Sequence, residues 1–352
     1  MIKKFLIAAL TLILPLCLNA QNGKMEAMRN IVADSYNFWL YTPSEADMRT
    51  EEPDTKFDEV ALPENIKTPP PPVIIFLHGA SLCGTDLYKV RRYGCLDAIS
   101  RGRNINAVII APQNPGGAWN PKKIMDIVKW VNDNREIDTT RIYAIGMSLG
   151  GYGTMDLAGT YPDKIAAAMA LCGGCYLKDQ TGLGKLPLWI IHGTADRAVP
   201  VKCSKEVVEN LKENKNDSLL MYDWLKGASH SALAKIFYME KTYDWLFSHS
   251  LEDSTRNINR NTEITLDDLK TAYTGINKNL AHVSEIDTNR NATLPSVYTT
   301  STYSSSHAYY TVRQGDTLGA ISKKTHTSVA TLCRLNGIST KTILRIGRKI
   351  AY

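Results

Sequence analysis

Short apolar runs alternate with helix-spaced segments through the first 250 residues of this 352-residue chain. Residues 73–77 (Val-Ile-Ile-Phe-Leu), 106–111, 142–145, 166–171, 188–192 and 219–224 have the length and continuity of buried strands. An earlier run, 38–41 (Phe-Trp-Leu-Tyr), reads as an antiparallel strand. Between the strands lie segments with helical spacing over 87–100, 149–161, 205–213 and 232–247. A further helix begins at Pro121, where proline suits a first helical position. Its residues Ile124, Ile127, Val128 and Val131 recur at i, i+3, i+4 and i+7, giving one apolar face. Strands alternating with helices predict an α/β fold, a mostly parallel sheet covered on both faces. Residues 43–72 are charged and then proline-rich, and read as a long loop.

The pattern then changes. Residues 251–308 are polar, with a Ser/Thr/Tyr-rich run over 299–306, and read as a linker carrying at most a short helix around 266–273. Apolar spacing resumes at Tyr310 and defines a small module over 309–352. At the other end, Lys3 and Lys4 precede an apolar stretch that closes with Leu18-Asn19-Ala20 before polar sequence. That layout predicts a signal peptide over 1–20, cleaved after Ala20, and a protein exported to the periplasm, the cell surface or the medium, with no membrane span after cleavage. Cys17 follows the bulky Leu16, which argues against lipid attachment there.

The domains expected are therefore the leader (1–20), an α/β body (21–250), the linker (251–308) and the module (309–352). Net charge is +6 and unevenly placed. The module holds eight Lys and Arg against Asp316 alone, which suits an anionic surface. Export makes nucleic acid a poor partner. It also permits disulfides among Cys83, Cys95, Cys172, Cys175, Cys203 and Cys333. Cys172-Gly-Gly-Cys175 follows a buried-strand pattern and has no second pair at zinc-finger spacing. A loop disulfide and two packed thiols both remain open.

The chemistry centres on Gly146-Met-Ser148-Leu-Gly150, a G-x-S-x-G between the strand at 142–145 and the helix that follows. A strand, a sharp turn and a helix are what a nucleophile elbow requires, with Ser148 at its apex. Active sites of such sheets lie at the carboxyl ends of strands. Asp196 stands just past one strand, and His230 between the last strand and the last helix. The order Ser, Asp, His makes Ser148 the nucleophile, His230 the general base and Asp196 the residue that orients it. Oxyanion donors are expected from the backbone N–H groups of Ala80 and Leu149. His78 and His192 also stand near strand ends, but no H-E-x-x-H or carboxylate cluster accompanies them, so they read as structural, with no metal and no cofactor. Trp119 reads equally as a pocket wall or a packed loop residue.

Residues 73–248 resemble the α/β-hydrolase family, in its secreted esterase, depolymerase and "predicted peptidase" branch. The matching segments are Phe76-Leu-His-Gly-Ala80, Ile137-Asp-Thr-Thr-Arg-Ile-Tyr143, Gly146-Met-Ser-Leu-Gly-Gly151, Tyr161-Pro-Asp163 and His192-Gly-Thr-Ala-Asp196. The resemblance implies a serine hydrolase working through a covalent acyl-enzyme, foremost a carboxylesterase acting on an acyl ester. It also leaves open a serine peptidase, a peptidoglycan O-acetyl esterase and, in another class, a non-catalytic glycan-binding protein.

Residues 310–352 resemble a LysM module, a βααβ carbohydrate-binding unit. The match runs through Tyr310-Thr-Val-Arg-Gln-Gly-Asp-Thr-Leu318, Ile321, Thr327-Ser-Val329, Leu332, Leu335-Asn-Gly337 and residues 343–350. The resemblance implies binding of peptidoglycan or another N-acetylglucosamine polymer through Gly315, Asp316, Thr317 and Leu318 together with Ile343, Leu344 and Arg345. Turn formation and helix capping are the structural reading of the same residues.

Overall fold

The computed structural model of the chain describes residues 23–44, 69–276 and 284–287, and residues 309–351 except 314, 326, 328, 330–331, 334–343 and 345–346. The expected leader and most of the long loop after residue 43 lie outside the described residues.

The body is a nine-stranded sheet. Its strands are β1 (Lys24–Met28), β2 (Phe38–Thr42), β3 (Val73–Leu77), β4 (Val108–Pro112), β5 (Ile142–Met147), β6 (Ala167–Leu171), β7 (Leu188–Gly193), β8 (Leu220–Leu225) and β9 (Ser284–Ile286). Their order across the sheet is β8-β7-β6-β5-β3-β4-β2-β1-β9. All neighbours run parallel except β2, which is antiparallel to both β1 and β4. Strands buried on both faces explain the unbroken apolar runs, and side chains along each strand alternate between two cores. Ile74, Phe76, Tyr143, Ile145, Met169, Trp189 and Ile191 pack on one face with residues of α1 (Cys95–Ser100) and α5 (Glu240–Phe247). Ile75, Leu77, Ala144, Ala168, Ala170 and Ile190 pack on the other with α2 (Pro121–Asn134), α3 (Leu149–Thr160) and α4 (Lys202–Glu213). The apolar face read in α2 from its sequence is buried as expected, and Asn120 caps the helix by accepting from Lys123 N–H.

Two expected helices are broken. The segment 87–100 is a 3-10 turn over Leu87–Arg92 followed by α1. Between them Gly94 adopts φ 96°, and a Cβ there would stand 2.1 Å from the Phe76 ring. The segment 232–247 is a run of 3-10 turns, His230–Tyr238, followed by α5. Tyr238 O is taken by the Arg103 guanidinium, whose Nε and Nη2 donate at 2.9 and 2.6 Å, so it is held by a partner outside the helix.

The expected linker starts too early. Residues 251–276 pack onto the α1/α5 face: Ile264, Leu269 and Ala272 are buried in that core, with Ile258, Tyr273 and Ile276 against it. The segment holds α6 (Leu266–Thr271), whose N-terminus carries a reciprocal capping box between Thr265 and Asp268. Further on, β9 adds to the sheet edge, pairing parallel with β1. Arg29 Nη2 and Asp287 close that edge with a 3.0 Å ion pair. Polar composition disguised this segment because its few apolar residues are widely spaced, yet they land on one surface.

The C-terminal unit has its own two-stranded antiparallel sheet, β10 (Tyr309–Thr311) with β11 (Lys349–Ala351), and a helix, α7 (Leu318–Thr325). Val312, Leu318, Ile321, Leu332 and Ile350 form its core.

Replacing Leu269 by Ala is expected to destabilise the body by about 2–4 kcal/mol, the usual cost of emptying a buried leucine site. Urea unfolding of the mature protein reads this directly; an unchanged midpoint would mean that residues 251–276 behave as a linker after all.

Candidate active site

The site grows from a close approach of backbones. At the end of β5 the chain passes Gly146 and Gly150 directly against the carboxyl end of β3. A Cβ on Gly150 would lie 1.8 Å from Leu77 O, and one on Gly146 would lie 2.7 Å from the same oxygen. Only glycine fits at either position. Between them Ser148 takes φ 59° and ψ −123°, a conformation rare for a side-chain-bearing residue. Its N–H donates to Leu171 O at 2.9 Å, which ties the turn to β6. The serine is thereby held at the apex, half-buried, at the N-terminus of α3.

The other two expected residues meet. His230 Nδ1 lies 2.6 Å from Asp196 Oδ2. Asp196 Oδ1 accepts from the N–H groups of Ala198 at 2.8 Å and Val199 at 2.9 Å. Burial pushes the Asp196 pKa up, but the His230 bond and these backbone donors outweigh it and hold the carboxyl below its ordinary range. The Asp196 side chain is fully buried, while 24% of the His230 side chain is open to solvent. Ser148 Oγ has no hydrogen-bond partner among the described residues. The serine turn and the Asp196–His230 pair converge on one neighbour, Cys172. Its sulfur lies within 4.8 Å of an Asp196 oxygen and a His230 ring nitrogen, and it also faces the Ser148 backbone amide.

The loop expected to supply an oxyanion donor follows β3. Gly79 N–H donates to Tyr93 Oη at 2.7 Å. The next N–H, that of Ala80, has no partner among the described residues, and neither has that of Leu149. Two free N–H groups flank the serine turn, one of them at a helix N-terminus. His78 braces the loop from beneath. Its Nε2 accepts from Asn114 N–H at 3.0 Å, which leaves the proton on Nδ1 to donate to Gly79 O at 2.8 Å. Burial pulls the His78 pKa down to about 4, so the ring is neutral at ordinary pH.

His192 is likewise structural. Its Nε2 lies 2.9 Å from Val199 O and 3.2 Å from Asp196 Oδ2, and its Nδ1 lies 2.7 Å from Ser204 Oγ. Ser204 Oγ in turn stands 2.6 Å from Gly173 O, so the ring links the Asp196 loop, α4 and the loop after β6. Trp119 is a packed residue, 3% exposed, edge-on to His78 and filling the space beside Gly153. The described cysteines are all free thiols, so Cys172 and Cys175 form no loop disulfide; Cys175 donates to Asp156 instead. Burial drives the Cys172 thiol far above its ordinary pKa. Sequence reasoning missed Tyr93 altogether, since a tyrosine fourteen residues beyond Gly79 carries no local mark of its role. Beside the elbow, a hollow of about 350 Å³ is lined by Tyr152, Gly174, Tyr176, Cys203 and Asn210, with the two tyrosine rings stacked at 4.5 Å.

In the C-terminal unit the expected glycan residues serve the fold. Asp316 accepts from Arg313 N–H, Tyr310 Oη and Lys324 Nζ. Thr317 Oγ1 caps α7 through Ala320 N–H, Leu318 is in the core, and Leu344 packs against it. Gly315 is exposed, at φ 83°. Ile343 and Arg345 lie outside the described residues.

Residues 119–250 match the phospholipase/carboxylesterase family model, and residues 310–351 match the LysM domain. The body has an α/β-hydrolase fold, and a LysM domain follows it. Among curated proteins, acetylxylan esterase A of Aspergillus ficuum is 24% identical over 139 residues, 34% of this chain and 44% of that protein. Poly(3-hydroxyalkanoate) depolymerase C of Paucimonas lemoignei is 39% identical over 61 residues, 17% of this chain and 14% of that one. Uncharacterized lipoprotein YgeR of Escherichia coli strain K12 is 53% identical over 51 residues, 14% and 20% of the two chains. The chain thus spans less than half the length of each of these relatives. Similar solved structures include a thermostable esterase, 25% identical with a TM-score of 0.45, covering 61% of this chain and 59% of the esterase. An S-formylglutathione hydrolase from Staphylococcus aureus is 15% identical with a TM-score of 0.42, covering 60% and 92%. Among the described residues, no helix is long and apolar enough to cross a membrane.

Two predictions follow from the loop around Gly79. Tyr93→Phe leaves the buried Gly79 N–H unpaired, at a cost of about 1–3 kcal/mol. It is expected to lower kcat on a short aryl ester about ten-fold with KM nearly constant; an unchanged kcat would remove Tyr93 from the oxyanion loop's support. His78 predicts a pH dependence of stability. The unfolded chain protonates this ring near 6.5 and the folded one only near 4. Its contribution is therefore complete above about pH 6.5 and is lost as pH falls toward 4. Between pH 7 and 4.5 the wild type should lose roughly 2 kcal/mol more stability than His78→Gln. Equal losses in urea titrations would count against a buried neutral His78.

Proposed function

We propose that this protein is an exported serine hydrolase, a carboxylesterase that cleaves acyl esters of a glycan or a small molecule. The observation that carries the proposal is the 2.6 Å contact of His230 Nδ1 with a buried Asp196, set at the strand ends beside a strained Ser148. Ser148 Oγ attacks the acyl carbonyl. Nε2 of His230 takes its proton and passes it to the leaving alkoxide, and water then cleaves the acyl-enzyme by the reverse path. Asp196 keeps the ring's other proton on Nδ1 and stabilises the imidazolium. The N–H groups of Ala80 and Leu149 receive the oxyanion, each worth roughly 3 kcal/mol of transition-state stabilisation in comparable enzymes.

The LysM domain holds the enzyme to peptidoglycan or a related N-acetylglucosamine polymer, raising its concentration near the wall. Its presence favours a second reading of substrate, an O-acetyl ester on peptidoglycan itself, with the same residues in the same roles. Labelling by a fluorophosphonate probe tests the shared core of both readings. The mature protein is expected to label, and its Ser148→Ala variant is not. Absence of label on the folded wild type would leave a glycan-binding protein with a silent hydrolase body.

A further inference from the structure

One buried group beside the candidate triad has no part in the mechanism. Cys172 directly follows β6, is fully buried, and is a non-glycine residue at φ 39°. That conformation is uncommon for a residue with a side chain, although Gly173 stands next in the chain. Its sulfur, a carboxylate oxygen of Asp196 and a ring nitrogen of His230 lie within 4.8 Å of one another. The three donors come from three separate loops, after β6, β7 and β8, so no local turn accounts for their meeting.

From this convergence we infer an inhibitory site for a thiophilic divalent cation, zinc foremost, built from Cys172, Asp196 and His230. One thiolate, one imidazole and one carboxylate form a zinc-type donor set. Donor atoms around a single tetrahedral zinc stand about 3.3–3.7 Å apart, so with every pair here already within 4.8 Å no pair has to close by more than about 1.5 Å. The charges also balance: a thiolate and a carboxylate together neutralise the dication, which a buried site requires. Asp196 Oδ1 keeps the backbone donors of Ala198 and Val199, which fix the carboxylate while Oδ2 turns to the metal. The accessible edge of His230 supplies the way in and leaves the fourth position for water.

Binding is a proton exchange. The Cys172 thiol releases its proton to water as the Zn–S bond forms. His230 binds as the neutral ring, through the nitrogen that faces Asp196. Its remaining proton then sits on the other nitrogen, the one that must be bare to accept from Ser148. The hydrolase is thereby silenced with nothing blocking its pocket, and chelation restores it.

The activity readout rests on the serine-hydrolase reading, so the test includes a measurement that does not. Zinc sulfate should inhibit short aryl ester cleavage by the mature wild type at micromolar concentration, with full recovery in EDTA. Cys172→Ala and Cys172→Ser, each checked by near-UV circular dichroism and each referred to its own metal-free rate, should raise the half-inhibitory concentration at least ten-fold. Calorimetry on the inactive Ser148→Ala protein should find one zinc site, lost in Ser148→Ala/Cys172→Ala. Equal inhibition of wild type and both Cys172 variants overturns the proposal. So does a Ser148→Ala protein that binds no zinc, whether or not the wild type proves to be an esterase.

Discussion

The structure depends on how closely the start of α3 and the end of β3 approach. Leu77 O lies where a side chain on Gly150 would begin, and Gly146 meets the same oxygen from the strand side. That approach does three things at once. It forces Ser148 into its strained turn, it sets the N-terminus of α3 over the sheet, and it delivers the chain leaving Leu77 straight into His78, Gly79 and Ala80. The Ser148 turn and the Gly79–Ala80 loop are thus two products of one steric constraint. A methyl group at either glycine would separate them.

Around that junction the polar groups are held by partners drawn from distant parts of the chain. Asp196 is saturated by two backbone N–H groups and His230, with the His192 ring at its flank. His78 is spent on Asn114 and Gly79, and Gly79 N–H on Tyr93. The consequence is a site in which, among the described residues, the Ser148 hydroxyl and the Ala80 and Leu149 N–H groups remain uncommitted. For the hydrolysis proposed above, preorganisation of this kind spares the work of reorienting dipoles while charge develops.

Much of this was legible in the sequence, for physical reasons. A strand buried on both faces must be an unbroken apolar run, so β3 through β7 announced themselves. The elbow's glycines, and Asp196 and His230 at their strand ends, sit within short fixed spacings. What escaped was long-range or sparse. β1 is a short strand in which the buried Met25 and Ala27 alternate with half-buried neighbours, β9 is only three residues long, and α6 reaches the core through Leu269 and two or three companions within a polar stretch. Tyr93 and Cys172 take their places through tertiary packing, and no local pattern marks them. The breaks at Gly94 and Tyr238 have the same origin: an aromatic ring and a guanidinium, each supplied from elsewhere, occupy what a continuous helix would need.

The placement of β9 has a mechanical meaning. In the sheet it is the terminal strand on the side away from β7 and β8, five positions from β5, or roughly 24 Å at the usual spacing. Whatever tension the chain beyond Asp287 transmits meets the three paired residues of β9 and the contacts of Asp287 with Arg29 and Tyr88. Those few bonds can be peeled one after another, whereas the inner strands share any load in shear across long parallel ladders. The strands that carry Ser148, Asp196 and His230 at their ends, β5, β7 and β8, all lie five or more positions from that edge.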